Sequence, residues 1–252
     1  MNAVLLLKSF LINSPFEGVA KRARHVSGRL RPNLEMAEVI LEEERLPEVL
    51  KRLLTPTSNV LDVGCHIGSF LNLASKLAPN GRHVAIEASP SKATLLRRRF
   101  PSVRIEQLAI SDRVGISTFE ENLRRPGFSR LGASSTSDPV TRYDVPTTTL
   151  DALELGRIDL VKIDIEGGEL NALRGAKRFA ESNRPPFVFE CGAVTNEGLD
   201  RAALFDHLTS VMTYDVFTFG DFLYRKGPLS ADEFRKCGIY PFRAFNFVAL
   251  PR

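Results

Sequence analysis

The 252-residue sequence has no tryptophan, few cysteines and histidines, and no long apolar run. Its three cysteines, Cys65, Cys191 and Cys237, are too few and too scattered for a disulfide framework or a zinc site, which favours a reducing, cytoplasmic setting. No stretch reaches the roughly 18 apolar residues that a membrane-spanning helix needs. Because tryptophan is absent and basic runs are not interleaved with aromatic residues, we expect no nucleic-acid partner.

The excess positive charge is concentrated at the start of the sequence. Residues 1–31 contain six lysine or arginine residues and one glutamate, whereas the whole chain has a net charge of +4. Residues 3–12 are apolar, but Lys8 interrupts them and no small-residue cleavage site follows, so we expect no signal peptide. We expect this basic arm to pack on the rest of the chain, with peripheral contact to an anionic membrane as the alternative.

The hydrophobic pattern predicts an N-terminal helical arm over residues 1–57 and one α/β domain over residues 58–252. Residues 34–54 have an apolar face at helical spacing, and Pro47 is predicted to divide this helix. Strands and helices then alternate, which indicates a parallel sheet covered on both faces. The predicted elements of this alternation are 59–63, 69–78, 83–87, 91–100, 103–110, 158–165, 169–181 and 187–190.

Four further segments do not follow the alternation. Residues 116–121 resemble a short antiparallel strand, and residues 214–219 and 245–250 resemble an antiparallel pair that closes the sheet. Residues 124–139 are rich in glycine, serine, arginine and proline and are predicted to form a loop. Because a loop of this length inside a compact domain usually has a function, we expect it to act as a lid over the site.

A glycine turn followed by a distant carboxylate indicates a cofactor that contains adenosine. Residues 59–63 form an apolar run that enters a turn with Gly64 and Gly68, and Glu87 ends the next apolar run, 19 residues after Gly68. In nucleotide-binding α/β folds, an acid at about this distance binds the ribose hydroxyls of the cofactor. The glycines allow the backbone to approach the ligand closely.

The spacing of this turn favours S-adenosylmethionine over NAD. Gly64 and Gly68 are separated by three residues, which include Cys65 and His66, and so they do not match the G-x-G-x-x-G pattern that places a pyrophosphate on a helix N-terminus. Asp62 adds negative charge that would repel a phosphate and attract a cationic sulfonium or ammonium group. An NAD-dependent oxidoreductase is the alternative, and a non-catalytic cofactor-binding assembly partner is a second one.

Carboxylates recur at the ends of the predicted strands. Asp164 ends one buried run, Glu166 follows in the next turn, and Glu190 ends the run after that. Ligands of open α/β sheets bind outside these strand ends, and buried charges are rare without a function or a partner. We therefore predict that these three acids have a catalytic role.

These motifs together resemble the FkbM family of S-adenosylmethionine-dependent methyltransferases. The resemblance covers roughly residues 58–192, and the residues that carry it are Asp62-Val63-Gly64 with Gly68, Ile86-Glu87, Ala109-Ile110-Ser111-Asp112, Thr149-Leu150-Asp151, Lys162-Ile163-Asp164-Ile165-Glu166-Gly167 with Glu169, Leu173-Arg174-Gly175-Ala176 and Glu190. It implies a Rossmann-like, seven-stranded methyltransferase sheet with helices on both faces and an N-terminal helical extension. It most often implies O-methylation of hydroxyls on sugars, glycolipids or natural products.

The turn, Glu87 and the resemblance together predict a set of cofactor-binding residues: Asp62, Gly64, Cys65, His66, Gly68, Glu87, Ala88, Ala109 and Asp164. Cys65 and His66 depart from the family, which usually has a small residue and asparagine there. Methylation of a sugar hydroxyl needs a general base or a metal ion. We expect catalysis by Asp164, Glu166 or Glu190, with His66 and His25 as further candidate bases. Alternatively, Asp164 and Glu190 could bind Mg²⁺.

Overall fold

The computed structural model of the protein describes residues 34–134, 136–193 and 200–252, with side chains from residue 40 onward. The basic arm of residues 1–31 and the candidate base His25 lie outside the described residues. Within the part of the chain that is described, no helix is both long and apolar enough to cross a membrane.

Eleven strands and eight α-helices make up the described fold. The strands are β1 (Val60–Val63), β2 (Val84–Ile86), β3 (Arg104–Glu106), β4 (Ala109–Ile110), β5 (Gly115–Asn122), β6 (Arg130–Leu131), β7 (Val140–Thr148), β8 (Leu160–Ile163), β9 (Phe187–Glu190), β10 (Tyr214–Thr218) and β11 (Asn246–Pro251). The helices are α1 (Leu34–Leu53), α2 (Ser69–Leu77), α3 (Pro90–Arg99), α4 (Glu169–Arg174), α5 (Lys177–Asn183), α6 (Arg201–Asp206), α7 (Phe219–Leu223) and α8 (Ala231–Cys237).

Seven strands form the central sheet, in the order β10-β11-β9-β8-β1-β2-β3. Neighbours are parallel, except that β11 runs antiparallel to both β10 and β9. Buried apolar side chains cover both faces of this sheet, as expected for parallel strands packed between helices. The prediction of a Rossmann-like, seven-stranded α/β sheet is therefore confirmed, including the antiparallel pair near the C-terminus.

A second sheet, in the order β4-β7-β5-β6, lies outside the first. Strands β5 and β7 form a long antiparallel hairpin, which confirms the antiparallel strand predicted near residues 116–121. The predicted strand over residues 103–110 is wrong, because it divides into β3 and β4, which belong to different sheets. Residues 124–139 are also not only a loop: they contain a 3₁₀ turn at Pro126–Phe128 and strand β6.

Two helix boundaries differ from the predictions. Helix α1 continues through Pro47 without dividing, because Val49 and Leu50 on its inner face are fully buried and hold it on the sheet. The single helix predicted over residues 169–181 divides at Gly175 into α4 and α5. A Cβ at Gly175 would lie 2.3 Å from the backbone oxygen of Ser111, so only glycine fits at this close approach.

Glu42 on helix α1 forms hydrogen bonds with the far end of the chain. Glu42 is buried and accepts hydrogen bonds from the backbone N–H groups of Phe245 and Asn246, at 2.8 and 2.9 Å, and from the Asn246 amide at 2.9 Å. Asn246 is the register partner of Glu190 on β9. The helix is thus fixed beside the carboxyl end of β9, and the proposed boundary at residue 57 stays a prediction.

Candidate functional site

The turn after β1 has an unusual backbone that brings it close to the next strand ends. Gly64, His66 and Gly68 have φ angles of 81°, 53° and 83°, all in the left-handed region. A Cβ at Gly64 would lie 1.8 Å from the backbone oxygen of Asp164, which leaves no room for a side chain. The backbone N–H of Gly64 donates to the Ile86 carbonyl at 2.9 Å. The turn is therefore packed between the ends of β2 and β8.

Glu87 follows β2 and fixes this turn from the other side. Its two carboxylate oxygens accept hydrogen bonds from the backbone N–H groups of His66 and Ser89, each at 2.8 Å. Only 5% of Glu87 is exposed, and burial raises the pKa of its carboxyl, although nearby Lys92 opposes this rise. The carboxylate is thus held in place while it still lines a cavity.

This cavity has a volume of about 520 Å³ and lies at the carboxyl ends of the central strands. Six of the nine predicted cofactor residues line it: Gly64, His66, Glu87, Ala88, Ala109 and Asp164. Asp62, Cys65 and Gly68 do not. Asp62 is fully buried, Cys65 packs in an apolar cluster, and Gly68 lies against the ring of Phe100. The structure thus gives these three residues a supporting position behind the cavity wall.

Lys162 links two of the predicted acids below the cavity. Its Nζ donates to Asp164 Oδ2 at 2.8 Å and lies 3.8 Å from Asp62 Oδ1. Burial works against the charge of Lys162, but the two carboxylates outweigh it and raise its pKa. Burial also raises the pKa of Asp62, and Lys162 opposes that rise. Lys162 therefore offsets part of the negative charge of Asp62 and Asp164 within the protein.

Three carboxylates converge at one end of the cavity, as predicted from their positions after neighbouring strands. One oxygen each of Asp164, Glu166 and Glu190 lies within 4.8 Å of the others. Burial raises the pKa of Glu166 to about 8, and the charges of Asp164 and Glu169 add to this. Burial and then the charge of Asp164 raise the pKa of Glu190 well above its usual value. To remain stable, the cluster must therefore either bind protons tightly or have a cation beside it.

The segment between β5 and β7 covers the cavity, and the contacts that hold it there have no local signal in the sequence. Pro126, Ser129 and Arg130 line the cavity from this segment. Lys92 Nζ, which is almost fully buried, donates to the Pro126 carbonyl at 3.1 Å. Ser129 Oγ donates to the same carbonyl at 2.8 Å. The segment is therefore hydrogen-bonded to α3 next to Glu87, and its role as a lid stays a prediction.

A second missed group is a polar network around Glu121, on the hairpin. Its carboxylate accepts hydrogen bonds from Ser89 Oγ at 2.9 Å and from the Tyr143 hydroxyl at 3.1 Å, and it lies 3.7 Å from Lys92 Nζ. These contacts join the second sheet to the turn after Glu87. Nothing in the local sequence pattern marked these residues, because their partners come from distant parts of the chain.

The arrangement suits one class of chemistry. Glu87 presents a fixed carboxylate that can bind a ribose diol, and the three clustered carboxylates of Asp164, Glu166 and Glu190 line another part of the same cavity. The acids would attract a cationic sulfonium, because its charge offsets theirs. They would repel a pyrophosphate. The site thus fits a cationic adenosine-containing cofactor and a transfer reaction between these two parts of the cavity.

Comparison with known proteins agrees with this interpretation. The sequence model of the Methyltransferase FkbM domain matches residues 62–219. AMB antimetabolite synthetase AmbE from Pseudomonas aeruginosa is 29% identical over 191 residues, which covers 57% of this chain and 9% of the synthetase. The methyltransferase FkbM of Methylobacillus flagellatus aligns in structure with a TM-score of 0.51 at 14% identity, over 78% of this chain and 44% of that chain.

A TehB-like SAM-dependent methyltransferase from Corynebacterium glutamicum aligns over 94% of this chain and 97% of that chain, with a TM-score of 0.44 and 12% identity. At 14% identity, the likeness to the M. flagellatus structure concerns the fold alone. The chain spans less than half the length of the synthetase and of the M. flagellatus protein.

Proposed function

The chain belongs to the FkbM methyltransferase family, and on that premise we propose that it is an S-adenosylmethionine-dependent O-methyltransferase. The bound cofactor supplies an electrophilic methyl group on a positively charged sulfur. Methyl transfer is favoured over the hydride transfer that the sequence left open, since both the family and the acidic cavity oppose an NAD pyrophosphate.

The observation that carries this proposal is the environment of the Glu190 carboxylate. Lys162 already pairs with Asp164 at 2.8 Å, and the charge of Arg130 acts on Glu166. Among the residues that the structure describes, none donates a hydrogen bond to the carboxylate of Glu190, which lines the cavity. Glu190 is therefore the acid that is best placed to receive a proton from an acceptor.

We assign the general-base role to Glu190. A hydroxyl oxygen aligned with the methyl group forms the new carbon–oxygen bond as the carbon–sulfur bond breaks, and the hydroxyl proton passes to Glu190. The charge of the cofactor favours the ionised form of Glu190, which burial alone would disfavour. Asp164 and Glu166 orient the acceptor, so that its hydroxyl oxygen is aligned with the methyl group.

A metal-assisted route is the second candidate. Three carboxylate oxygens within 4.8 Å of one another match the oxygen ligands that Mg²⁺ takes in proteins. Asp164 and Glu190 would then hold the ion, and the ion would lower the pKa of the acceptor hydroxyl. The two routes share the same residues but differ in their response to chelation.

The acceptor class follows from the family and stays a proposal. We expect a hydroxyl on a sugar, glycolipid or natural product, with no nucleic-acid partner. Contact with a membrane through the basic N-terminal arm also stays a prediction. A non-catalytic role in an assembly is the alternative; it predicts cofactor binding without turnover.

The test is methyl transfer from isotopically labelled S-adenosylmethionine to a panel of sugars, glycolipids and hydroxylated natural products, with products identified by mass spectrometry. Replacing Glu190 with glutamine should lower kcat by about 100-fold or more, the scale of general-base catalysis. Replacing Asp164 with asparagine should also lower turnover. Affinity for S-adenosylhomocysteine should change far less in both variants.

The matched control is Glu181→Gln, on the exposed surface of α5. Activity lost in EDTA and restored by Mg²⁺ would support the metal route, whereas full activity in EDTA would leave the base route. Wild-type turnover in both Glu190→Gln and Asp164→Asn would refute the role of the cluster. His66, which also lines the cavity, would then be the next candidate.

A further inference from the structure

Glu169, the first residue of α4, is folded back onto the turn that precedes it. Its Oε1 accepts hydrogen bonds from the backbone N–H groups of Ile165 and Gly167, at 3.1 and 3.3 Å. Only 2% of Glu169 is exposed, and the residue does not line the cavity. One buried oxygen thus binds the backbone on both sides of Glu166.

The backbone between these two contacts is strained. Glu166 has a φ angle of 54°, and Gly167 one of 93°. A residue with a side chain disfavours the left-handed region, so the surrounding structure must hold Glu166 there. The conformation matters because Glu166 lines the cavity and belongs to the carboxylate cluster. The strained residue, Glu166, is therefore one whose side chain belongs to the carboxylate cluster, the end of the cavity where we expect the acceptor.

A general stabilising role in the helix does not explain these contacts. A carboxylate in the first turn favours a helix through its dipole, and that effect needs no hydrogen bond to residues before the helix. Here the hydrogen bonds go to Ile165 and Gly167, which precede α4. The side chain therefore acts on the turn. Asp164, at the start of the turn, is placed separately by its ion pair with Lys162.

We propose that Glu169 is a positioning residue, which holds the 164–167 turn so that Glu166 faces the acceptor end of the cavity. This inference rests on the proposed function for its effect on turnover. Its structural part, the hydrogen-bonded turn, is independent of that function. The required chemical feature is a buried acceptor oxygen; a negative charge is not required.

The experiment compares Glu169→Gln with Glu169→Ala. Glutamine keeps a carbonyl oxygen that can accept both hydrogen bonds, whereas alanine leaves two buried N–H groups without their acceptor. We expect Glu169→Gln to keep kcat within about threefold and Glu169→Ala to lose at least about 30-fold. The KM for S-adenosylmethionine should remain within about threefold in both.

Hydrogen exchange gives a readout that does not depend on activity. In Glu169→Ala the amide protons of Ile165 and Gly167 should exchange at least about tenfold faster, and in Glu169→Gln they should stay protected. The exposed-surface variant Glu181→Ala is the control for both measurements. If the wild type shows this protection but no methyl transfer, the proposed function fails while the turn contact stands.

A double variant tests whether Glu169 acts through its neighbour. If it does, Glu166→Ala combined with Glu169→Ala should be no slower than Glu166→Ala alone, since coupled residues are not additive. Should Glu169→Ala not fold, Glu169→Asp is the substitute, because its shorter side chain cannot reach both N–H groups. Wild-type kcat in the alanine variant, or glutamine as damaging as alanine, would overturn the proposal.

Discussion

Glu87 allows the cofactor assignment to be tested quantitatively. The structure fixes its carboxylate with two backbone hydrogen bonds of 2.8 Å and buries it at the cavity wall. A ribose diol bound there would make two charge-assisted hydrogen bonds, each contributing about 1.5–3 kcal/mol. Replacing Glu87 with alanine should therefore weaken S-adenosylhomocysteine binding by about 3–6 kcal/mol, or roughly two to four orders of magnitude in Kd.

Isothermal titration calorimetry measures this change, and a second substitution separates its causes. Alanine also removes the acceptors of the His66 and Ser89 N–H groups, so thermal melting without ligand must accompany the titration. Glu87→Gln keeps one acceptor oxygen and should give an intermediate affinity. Glu106→Gln on the adjacent strand β3, whose carboxylate pairs with Arg104, is the matched control and should bind normally. Unchanged affinity in a folded Glu87→Ala would refute the assignment.

Three further predictions concern the turn, the pH response and the covering segment. Gly64→Ala should destabilise the fold by more than about 2 kcal/mol, because the φ of 81° at this position disfavours a side chain and the new Cβ would meet the Asp164 backbone. Gly227→Ala is the control: the space around Gly227 is open, so this variant should melt like the wild type. Burial raises the pKa of Glu166 from 4.5 to about 8, so the folded chain binds this proton more tightly than the unfolded chain. Its contribution to stability is therefore fully present below about pH 4.5 and is lost as the pH rises to about 8, and thermal melts of Glu166→Gln should decline less over that window. Limited proteolysis within residues 124–139 should slow when cofactor and acceptor are both present; equal cleavage rates would count against a lid.

The sequence was sufficient for the parts of the site that depend on local pattern. The glycine turn, Glu87 and the acids after β8 and β9 could be predicted because a parallel sheet brings the carboxyl ends of its strands together. Pairing of Lys162 with a neighbouring acid was also predictable, since the two residues are adjacent on one face of β8 and its extension. Predicting these features requires only the order of the strands and the two-residue alternation of side chains along each strand.

The rest depended on contacts between distant residues. The division at Gly175 follows from its close approach to Ser111, and the attachment of the covering segment follows from Lys92. Neither contact has a periodic signal in the sequence. Pro47 is the opposite case. A proline is a strong local signal for a helix break, but the buried residues before and after Pro47 keep α1 in one piece.

The contact between Glu42 and the start of β11 has a practical consequence for dividing the protein into pieces. A shortened chain that began at residue 58 would retain the whole family match, yet it would remove the acceptor of the Phe245 and Asn246 N–H groups. The start of β11, the strand beside Glu190, would then lose these hydrogen bonds and keep only its pairing with β9. An expression boundary for an active fragment therefore belongs ahead of α1, even though the sequence motifs begin almost thirty residues later.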